Sequence, residues 1–432
     1  MKRLPYRAWA RIGVNYQWPR REQMIAWFLA CTSSTPADDP GADDTALAWP
    51  EVPVESVPGL SDEADWIFTH RRVHDVDIRL SDQAIASLWE DRSVHVEGDL
   101  AFDNEVISSV GVRLKGRIGS FRELSGKSSF KIDLNRFVAD QRFYGLESLT
   151  LNNAVVDCSY SKEHLAYRVI REAGLPGSRA GYAWVTVNDE PYGLYVLVET
   201  QDDRFLTRTF EDPGGPLYDG KYLWDWRTET YTLLDLETDL APLFQQEEGP
   251  DVEHADLLGL TTTLDEVEGD SDFYERMGEV VDWDRQHRAV AVDQWVGHLD
   301  GYSMNTNNYR VYFDPGAGGR AVIVPWDLDY GFLKASWWGM NWRTPRGRLT
   351  EACWDDEACS EAQGVAVQWL LDEVIDEQAY EEMVEEIHET IDAYVDEDPR
   401  RECSTSEVRS TRADLLDWIE ERDRNLENFW DL

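Results

Sequence analysis

The first half of the chain alternates apolar and polar residues in a way that predicts strands. The alternating stretches lie at 73–80, 106–118 and 128–137, with a predicted hairpin at 182–200. Two further stretches, 81–91 and 159–174, repeat their apolar residues at helical spacing instead. This half is therefore predicted to be a β-rich unit that includes two helices.

The second half is predicted to be mostly helical. A helix at 283–300 precedes a hairpin with the strands YRVYFD and RAVIVPWDLD, and most of the remaining residues keep helical spacing. The predicted fold class is therefore α+β, with a β-rich N-terminal lobe at 65–200 and a mostly helical C-terminal lobe at 201–432. A cleft between two lobes is a common place for a nucleotide.

The first 31 residues resemble a bacterial lipoprotein signal. Basic residues precede the first acid, Glu22, and the apolar run that follows ends in Leu29-Ala30-Cys31, like a lipobox. We therefore expect export, with a lipid on Cys31 as the only contact with a membrane. A misassigned start, or a buried Cys31, would instead make the protein cytoplasmic. Residues 32–64 are acidic and rich in Pro, which predicts a disordered linker.

The net charge narrows the possible partners. The chain has 85 acidic and 41 basic residues, a formal net charge of −44. Such a protein repels a phosphate backbone, so nucleic acid is excluded as a partner, and a basic protein substrate is favoured over an acidic one. The charge suits either a protein exposed to high salt or an exported protein from a lineage with acidic surfaces.

The remaining cysteines are sufficient for two disulfides in an exported chain. Cys353 and Cys359 flank WDDEA, a short loop that one disulfide could close. Zinc is not expected there, because neither a CxxC motif nor a partner His accompanies them. The four candidates are Cys158, Cys353, Cys359 and Cys403.

Two features of the β-rich lobe could bind phosphates. Alternation puts Lys131 on the polar face of SSFKIDLN, after a glycine-containing turn, where a kinase lysine would hold the donor phosphates. The preceding loop, LKGRIGSFRELSGKSS, combines three Gly residues with Arg117, Arg122 and Lys127, and could wrap an anion although it lacks the Walker A pattern. On spacing alone, a solvated strand lysine explains Lys131 as well.

Two Asp motifs in the second half supply the other parts of a phosphoryl-transfer site. His298, Asp300 and Asn305 have the H-x-D-x-x-x-x-N spacing of a kinase catalytic loop, in which the Asp orients the acceptor hydroxyl and the Asn binds metal. Asp327 and Asp329 stand two apart at a strand end, so both could face one divalent cation. A helix cap with an Asn-rich turn, and an exposed acidic pair, are the ordinary alternatives.

With these residues in view, the chain resembles the CotH family of spore-coat-type atypical kinases from about Val73 to Phe332. The resemblance implies an abbreviated protein-kinase-like fold of two lobes, and a kinase that uses ATP and a divalent cation (Mg, Mn or Ca) on Ser of exported proteins. It is carried by VGVRLKGRIGS, SSFKIDLNRF, YGLESLTLNN, DCSYSKEHLAYRV, VTVNDEPYGLYVLVETQDDRFL, NNYRVYFD and PWDLDYGF.

The resemblance also implies roles for single residues. Asp300 would be the catalytic Asp and Asp327 the metal-binding Asp, with Asp329 as a possible second ligand. The family's Asn-containing loop falls on Asn305 and Asn308, and its phosphate-facing lysine on Lys131. The segment Glu199–Asp202, with Glu199 and Gln201, would be the hinge against adenine. Lys162 stands where most relatives have an Arg, and a Lys binds phosphate without the bidentate geometry.

Three functions fit the sequence. The first is an exported kinase of Ser/Thr in surface or coat proteins, whose substrate the sequence does not identify. The second is an inactive relative that serves as a structural or assembly protein of a cell or spore surface. The third is an enzyme with a kinase fold that acts on a small molecule or polysaccharide. The intact set Asp300, Asn305 and Asp327 favours an active enzyme.

Overall fold

The computed structural model describes residues 62–117, 119–225 and 230–432, which belong to one compact unit. The expected signal segment 1–31 with Cys31, and the linker up to residue 61, lie outside the described residues, so export and lipidation stay predictions. Among the described residues, no helix is both long and apolar enough to cross a bilayer.

Seven strands of the first half close into a barrel in the order β1-β2-β3-β4-β5-β7-β6. The barrel is antiparallel except where β1 pairs with β6 in parallel and completes the ring. The elements of this half are β1 (Val73–Leu80), α1 (Asp82–Glu90), β2 (Val96–Phe102), β3 (Glu105–Lys115), β4 (Ser129–Asp133), β5 (Ser148–Asn152), α2 (Lys162–Glu172), β6 (Ala180–Val187) and β7 (Glu190–Glu199).

The alternation of each strand separates an apolar interior from a polar outer face. Phe130 and Ile132 of β4, with Leu149 and Leu151 of β5, fill the inside of the barrel. The intervening residues point outward, and on β3, β4 and β5 they are mostly polar. These outward residues include Arg113, Lys115, Ser129, Lys131, Thr150 and Asn152.

The predicted hairpin is present, with a tighter turn than expected. Its loop is Asn188–Asp189, and both residues have positive φ (50° and 65°), the conformation of a two-residue hairpin turn. Pro191 lies inside β7, beside a register shift between Val185 and Thr186, where the missing backbone N–H is tolerated.

The second half combines helices with a four-stranded sheet of order β11-β8-β12-β13. Its strands are β8 (Leu217–Asp219), β9 (Leu223–Asp225), β10 (Thr230–Thr232), β11 (Gln245–Glu248), β12 (Tyr309–Asp314) and β13 (Arg320–Pro325). Its helices are α3 (Asp203–Thr209), α4 (Ala255–Val267), α5 (Phe273–Met277), α6 (Trp283–Val296), α7 (Tyr302–Asn305), α8 (Arg348–Asp355), α9 (Glu357–Glu373), α10 (Glu377–Glu397) and α11 (Thr405–Trp430).

One apolar core joins the two halves. It packs Tyr182 and Val196 of the barrel against Leu165 of α2, Trp295 of α6 and Ile387 of α10, all of them buried. The α+β class is thus confirmed. The β-rich half is a closed seven-stranded barrel, which the comparison with kinases did not lead us to expect, and the two-lobed kinase arrangement stays a prediction.

Both disulfides that the cysteine count permits are formed. Cys353–Cys359 joins α8 to α9, so the segment that we expected to be a loop is the end of one helix and the start of the next. Cys158–Cys403 joins the segment before α2 to the segment between α10 and α11 and spans 245 residues of sequence.

Candidate active site

Asp300 lies just after α6, held by three asparagine side chains. The helix ends at Gly297, whose φ of 61° turns the chain toward α7. The Asp300 carboxylate then accepts hydrogen bonds from the side-chain amides of Asn305 (2.6 Å), Asn307 (3.2 Å) and Asn308 (3.1 Å). Burial of this carboxyl raises its pKa to about 6 in spite of these hydrogen bonds.

Asp327 follows β13 and is joined to Asp300 through one amide group. Asn308 Nδ2 donates both to Asp300 Oδ2 and to the backbone carbonyl of Asp327, each at 3.1 Å. The backbone N–H of Asp327 donates to the Tyr167 hydroxyl (3.2 Å), and its φ of 54° is left-handed. The structure therefore brings the two predicted motifs together.

Two further carboxyl groups lie beside Asp327. Burial raises the pKa of Asp329 well above its ordinary value, and the charges of Asp327 and Glu163 add to the effect. Burial and Asp327 likewise raise the pKa of Glu163 in α2 to about 8. Glu163 Oε2 accepts from Asn152 Nδ2 (2.7 Å), whereas its buried Oε1 has no hydrogen-bond partner among the described residues. The sequence analysis did not identify Glu163.

Lys115, at the end of β3, is the cation beside these acids, and the sequence analysis did not select it either. Its ammonium donates to Asn152 Oδ1, and its charge favours the ionised forms of Glu163 and Asp329. Two cations lie near the Trp326 ring: Lys115 Nζ is 5.8 Å and the Arg310 guanidinium 5.3 Å from its centroid. Lys115, Asn152 and Glu163 thus form a chain of polar contacts from the barrel to α2.

Lys131, the predicted phosphate lysine, lies on the same outer face of the barrel but beside the predicted hinge. Its ammonium donates to Ser148 Oγ (2.7 Å) and Thr200 Oγ1 (2.5 Å). Burial lowers its pKa to about 7, although the nearby Asp202 favours the charged form. Its contacts therefore belong to the Glu199–Asp202 segment rather than to Asp327.

The side chains of the predicted hinge are engaged inside the protein. Glu199 pairs with Arg179 and Arg208, each at 2.6 Å, and although burial favours the neutral acid, these arginines lower its pKa to about 2. Gln201 Nε2 donates to the carbonyl of Pro325 (2.8 Å), and its backbone carbonyl accepts from Arg310. A contact of this segment with adenine would therefore come from its backbone, and the hinge role stays a prediction.

The glycine loop, which we define as residues 116–117 and 119–128, lies against the second half of the chain. Arg117 donates to the carbonyl of Tyr222 (2.6 Å) and stacks on that ring at 4.7 Å. The φ of 91° at Gly119 favours Gly, and a Cβ there would come within 2.6 Å of the Tyr330 hydroxyl. Lys162 opens α2 with a buried side chain, and its backbone N–H donates to Asp157 Oδ2 (3.1 Å).

The comparisons with known proteins identify the family. The family described as CotH kinase protein matches residues 112–426. The chain belongs to the CotH family. It is also 24% identical over 209 residues to the inner spore coat protein H of Bacillus subtilis (strain 168). That match covers 47% of this chain and 54% of the relative, so the chain spans about half of the relative's length.

The part matched by the CotH family contains the whole acidic site, from Lys115 to Asp329. It begins inside β3, so β1 and β2 lie before it although both are strands of the closed barrel. The site of this CotH protein is therefore made by family-matched residues, while the barrel uses two additional strands.

The acids of this CotH protein fit a divalent cation that is shared with a ligand. Carboxylate oxygens suit Mg²⁺ or Mn²⁺, and the partnerless buried Glu163 Oε1 leaves one oxygen for such a contact. In the described residues, only His287, Cys353 and Cys359 gather three ligand atoms within 4.8 Å, and these cysteines are bonded to each other. A cation at the acids would therefore rely on one or two carboxylates and on phosphate oxygens.

Glu163 should make the metal-free protein less stable as the pH rises. Its folded pKa, about 8, lies above that of the unfolded chain, so between pH 4.5 and 8 the native state holds a proton that the unfolded state has released. Stability therefore falls with pH, by at most about 1.4 kcal/mol per pH unit. Glu163→Gln removes this loss. In EDTA, the melting temperature of the variant minus that of the wild type should therefore be larger at pH 8 than at pH 5.

The exposed Glu97 offers a matched control on β2. Glu97→Gln removes the same charge without touching the acids, and should keep the wild-type dependence on pH. If the melting temperatures of Glu163→Gln and wild type differ by the same amount at pH 5 and at pH 8, the prediction is wrong.

Proposed function

We propose that this CotH protein is an ATP- and divalent-cation-dependent kinase that phosphorylates Ser or Thr of exported surface or coat proteins. The observation that carries the proposal is the position of Asp300, which three asparagine amides hold beside Asp327. A carboxylate fixed next to a group of further carboxylates is what phosphoryl transfer requires, because one acid orients the acceptor and the others hold a cation.

Asp300 would accept the proton of the acceptor hydroxyl. Its three amide donors fix the carboxylate and leave it ionised when the site is loaded, so it would orient the hydroxyl for in-line attack. Each of these asparagines uses its amide nitrogen on Asp300. The amide oxygen of Asn305 could therefore serve as a metal ligand, whereas that of Asn308 already accepts from Asn307 (3.1 Å).

Asp327, with Asp329 or Glu163 as the second carboxylate, would hold the cation, which when bound would neutralise charge on the transferred phosphoryl group. Lys115 would contact the donor phosphates, since it is the lysine whose charge acts on both Glu163 and Asp329. Lys131 would lie deeper, next to the Glu199–Asp202 segment and the adenine. In this proposal, the barrel and the second half are the two lobes of a kinase-like enzyme.

The proposed location is a cell or spore surface. The name of the related inner spore coat protein H supports a coat location for this chain too. Export and the lipid anchor at Cys31 rest on the N-terminal sequence alone.

A labelled-ATP assay on the full chain tests the proposal. In Mg²⁺, Mn²⁺ or Ca²⁺, the wild-type protein should transfer label to itself or to Ser-containing peptides, and to Lys-rich peptides more than to acidic ones at matched salt. EDTA should abolish the transfer. Asp327→Asn should lower it by about 100-fold or more, because the charge that holds the cation is lost.

Asp140→Asn is the matched control for Asp327→Asn. Both positions are Asp residues with left-handed backbone (φ 61° for Asp140 and 54° for Asp327), and Asp140 is exposed in the segment between β4 and β5. The control should keep wild-type transfer. If the wild-type protein neither transfers label nor gains thermal stability from ATP with any of these cations, the kinase proposal is wrong and a structural coat role is favoured.

A further inference from the structure

The glycine loop reaches the acidic site through Gly119. This residue has a φ of 91° and lies so close to the Tyr330 hydroxyl that a side chain would collide with it. Tyr330 follows Asp329 directly in the chain. The position of the glycine loop is thus linked to the position of the acids.

The segment between α10 and α11 holds this loop from outside. We call residues 398–404 the connector. Glu402 of the connector pairs with Arg122 through two hydrogen bonds, to Nε (2.5 Å) and Nη2 (2.6 Å). Arg122 Nη1 in turn donates to the carbonyls of Gly119 (3.0 Å) and Phe121 (2.8 Å). One connector carboxylate therefore orients the side chain that fixes the loop at Gly119.

A second set of contacts holds the other end of the loop. Arg400 donates to the carbonyls of Leu124 (2.9 Å) and Gly126 (2.5 Å) and lies over the Tyr192 ring at 3.5 Å. Asp398 forms a buried ion pair with Lys127 at 2.5 Å. The connector thus contacts the loop at Arg122 and from Leu124 to Lys127, and it reaches Gly119 only through Arg122.

The connector is also tied covalently to the segment that precedes α2. Cys403 is bonded to Cys158, and the neighbouring Asp157 accepts from the backbone N–H of Lys162, the first residue of α2. Glu163 is the next residue. The connector therefore contacts the glycine loop and is bonded to the segment that leads into α2, the helix that carries Glu163.

We propose that the connector is a positioning element of the nucleotide site. It holds the glycine loop on Tyr330 and the start of α2 beside the barrel, so that the loop and Glu163 are in place before the nucleotide binds. The nucleotide part of this inference rests on the proposed function. The inference that the connector holds the loop does not depend on the proposed function. The holding of the loop and the role at the nucleotide site can therefore fail separately.

Hydrogen exchange of the full chain tests the contact. Glu402→Gln removes the charge that pairs with Arg122, and exchange in residues 119–128 should rise about three- to five-fold, with the amides of β2 unchanged. Glu389→Gln, an exposed acid on α10, is the control and should leave the loop as in wild type. Loop exchange in Glu402→Gln that equals the control would overturn the proposal.

Removing each of the two disulfides in turn gives a second test with a matched control. Cys158→Ser with Cys403→Ser should raise loop exchange about ten-fold or more beyond any change in β2, because the connector is no longer tied to the start of α2. Cys353→Ser with Cys359→Ser removes the other disulfide and should affect the loop no more than β2. Equal effects of the two pairs on the loop would also overturn the proposal.

Kinetics separate a positioning role from a structural one. In Glu402→Gln, KM for ATP should rise about three- to ten-fold while kcat stays within about two-fold, because a displaced loop weakens binding and leaves Asp300 in place. A lower kcat at unchanged KM would contradict the role at the nucleotide site. If the wild-type protein has no kinase activity, the proposed function fails, and the exchange experiment still decides whether the connector positions the loop.

Discussion

Asp300→Asn will lower kcat for phosphoryl transfer by about 10²–10⁴-fold while the protein stays folded. Asparagine has the shape of aspartate but cannot accept the hydroxyl proton. The loss of charge itself should cost little stability, because burial already disfavours the ionised form and raises the pKa of Asp300 to about 6. The new NH2 group cannot accept the hydrogen bonds that one Asp300 oxygen takes from the asparagines, so we expect a small decrease in melting temperature. KM for ATP should change by less than about three-fold, since this residue faces the acceptor in the proposed mechanism.

The measurement is initial rate against ATP concentration at saturating acceptor, with melting temperature as the test of folding. Asp140→Asn again serves as the control with an equal change of charge. If Asp300→Asn keeps more than about a tenth of the wild-type kcat, Asp300 is not the base, and another of the neighbouring acids must orient the acceptor.

Lys127→Met will lower the free energy of unfolding by about 3–5 kcal/mol, the largest stability effect that we expect for a single substitution. Lys127 and Asp398 have side chains exposed by only 1% and 0%, and their ion pair of 2.5 Å joins the glycine loop to the connector. Without the lysine, Asp398 keeps two hydrogen bonds, from the backbone N–H groups of Leu194 (3.1 Å) and Arg400 (2.9 Å), but no positive charge within the pair to balance its own.

Urea denaturation compares this variant with two others. Arg276→Met removes one partner of an exposed pair with Glu266, and should cost less than about 1 kcal/mol. Lys127→Met combined with Asp398→Asn should recover part of the loss, because no unpaired charge remains. If Lys127→Met costs no more than Arg276→Met, the buried pair does not stabilise the fold.

Local pattern was sufficient for elements whose two faces differ clearly. β1 has the predicted bounds, β7 and α6 lie within the predicted stretches, and β6 begins at Ala180, two residues before the predicted start. The apolar faces of these elements are buried in the cores of the protein. β2 was missed, since Gly98 and Asp99 interrupt its alternation at a register shift. Closure of the barrel depends on the parallel pairing of β1 with β6, about 100 residues apart in sequence, and no local pattern reports such a contact.

In the candidate site too, some residues could be found from local motifs and others only from the tertiary fold. The two motifs of Asp300, Asn305 and Asp327 could be predicted to meet because each is a short stretch, one at a helix end and one at a strand end, and their catalytic roles stay predictions. Lys115 and Lys131 could not be ranked, since both point outward from neighbouring strands, and only the fold puts Lys115 next to the acids. Glu163 was missed because its role depends on where α2 packs.

The predicted hinge shows a further limit of sequence reasoning. Glu199 looked available for a cofactor, but Arg179 and Arg208 neutralise it inside the protein. These arginines lie 20 and 9 residues away from it, on either side of β7. A charged residue in a motif can therefore be structural, and only its tertiary partners distinguish the two cases.

The closed barrel also limits how neighbouring molecules could join this protein. A strand at the edge of an open sheet can pair with a strand of another chain, whereas in the described residues each barrel strand already pairs on both sides. The second sheet differs, because β11 and β13 are its outer strands. In a crowded protein layer, backbone pairing between copies would have to use that sheet or the two-stranded sheet of β9 and β10, and the half that carries Lys115 and the glycine loop would keep its shape.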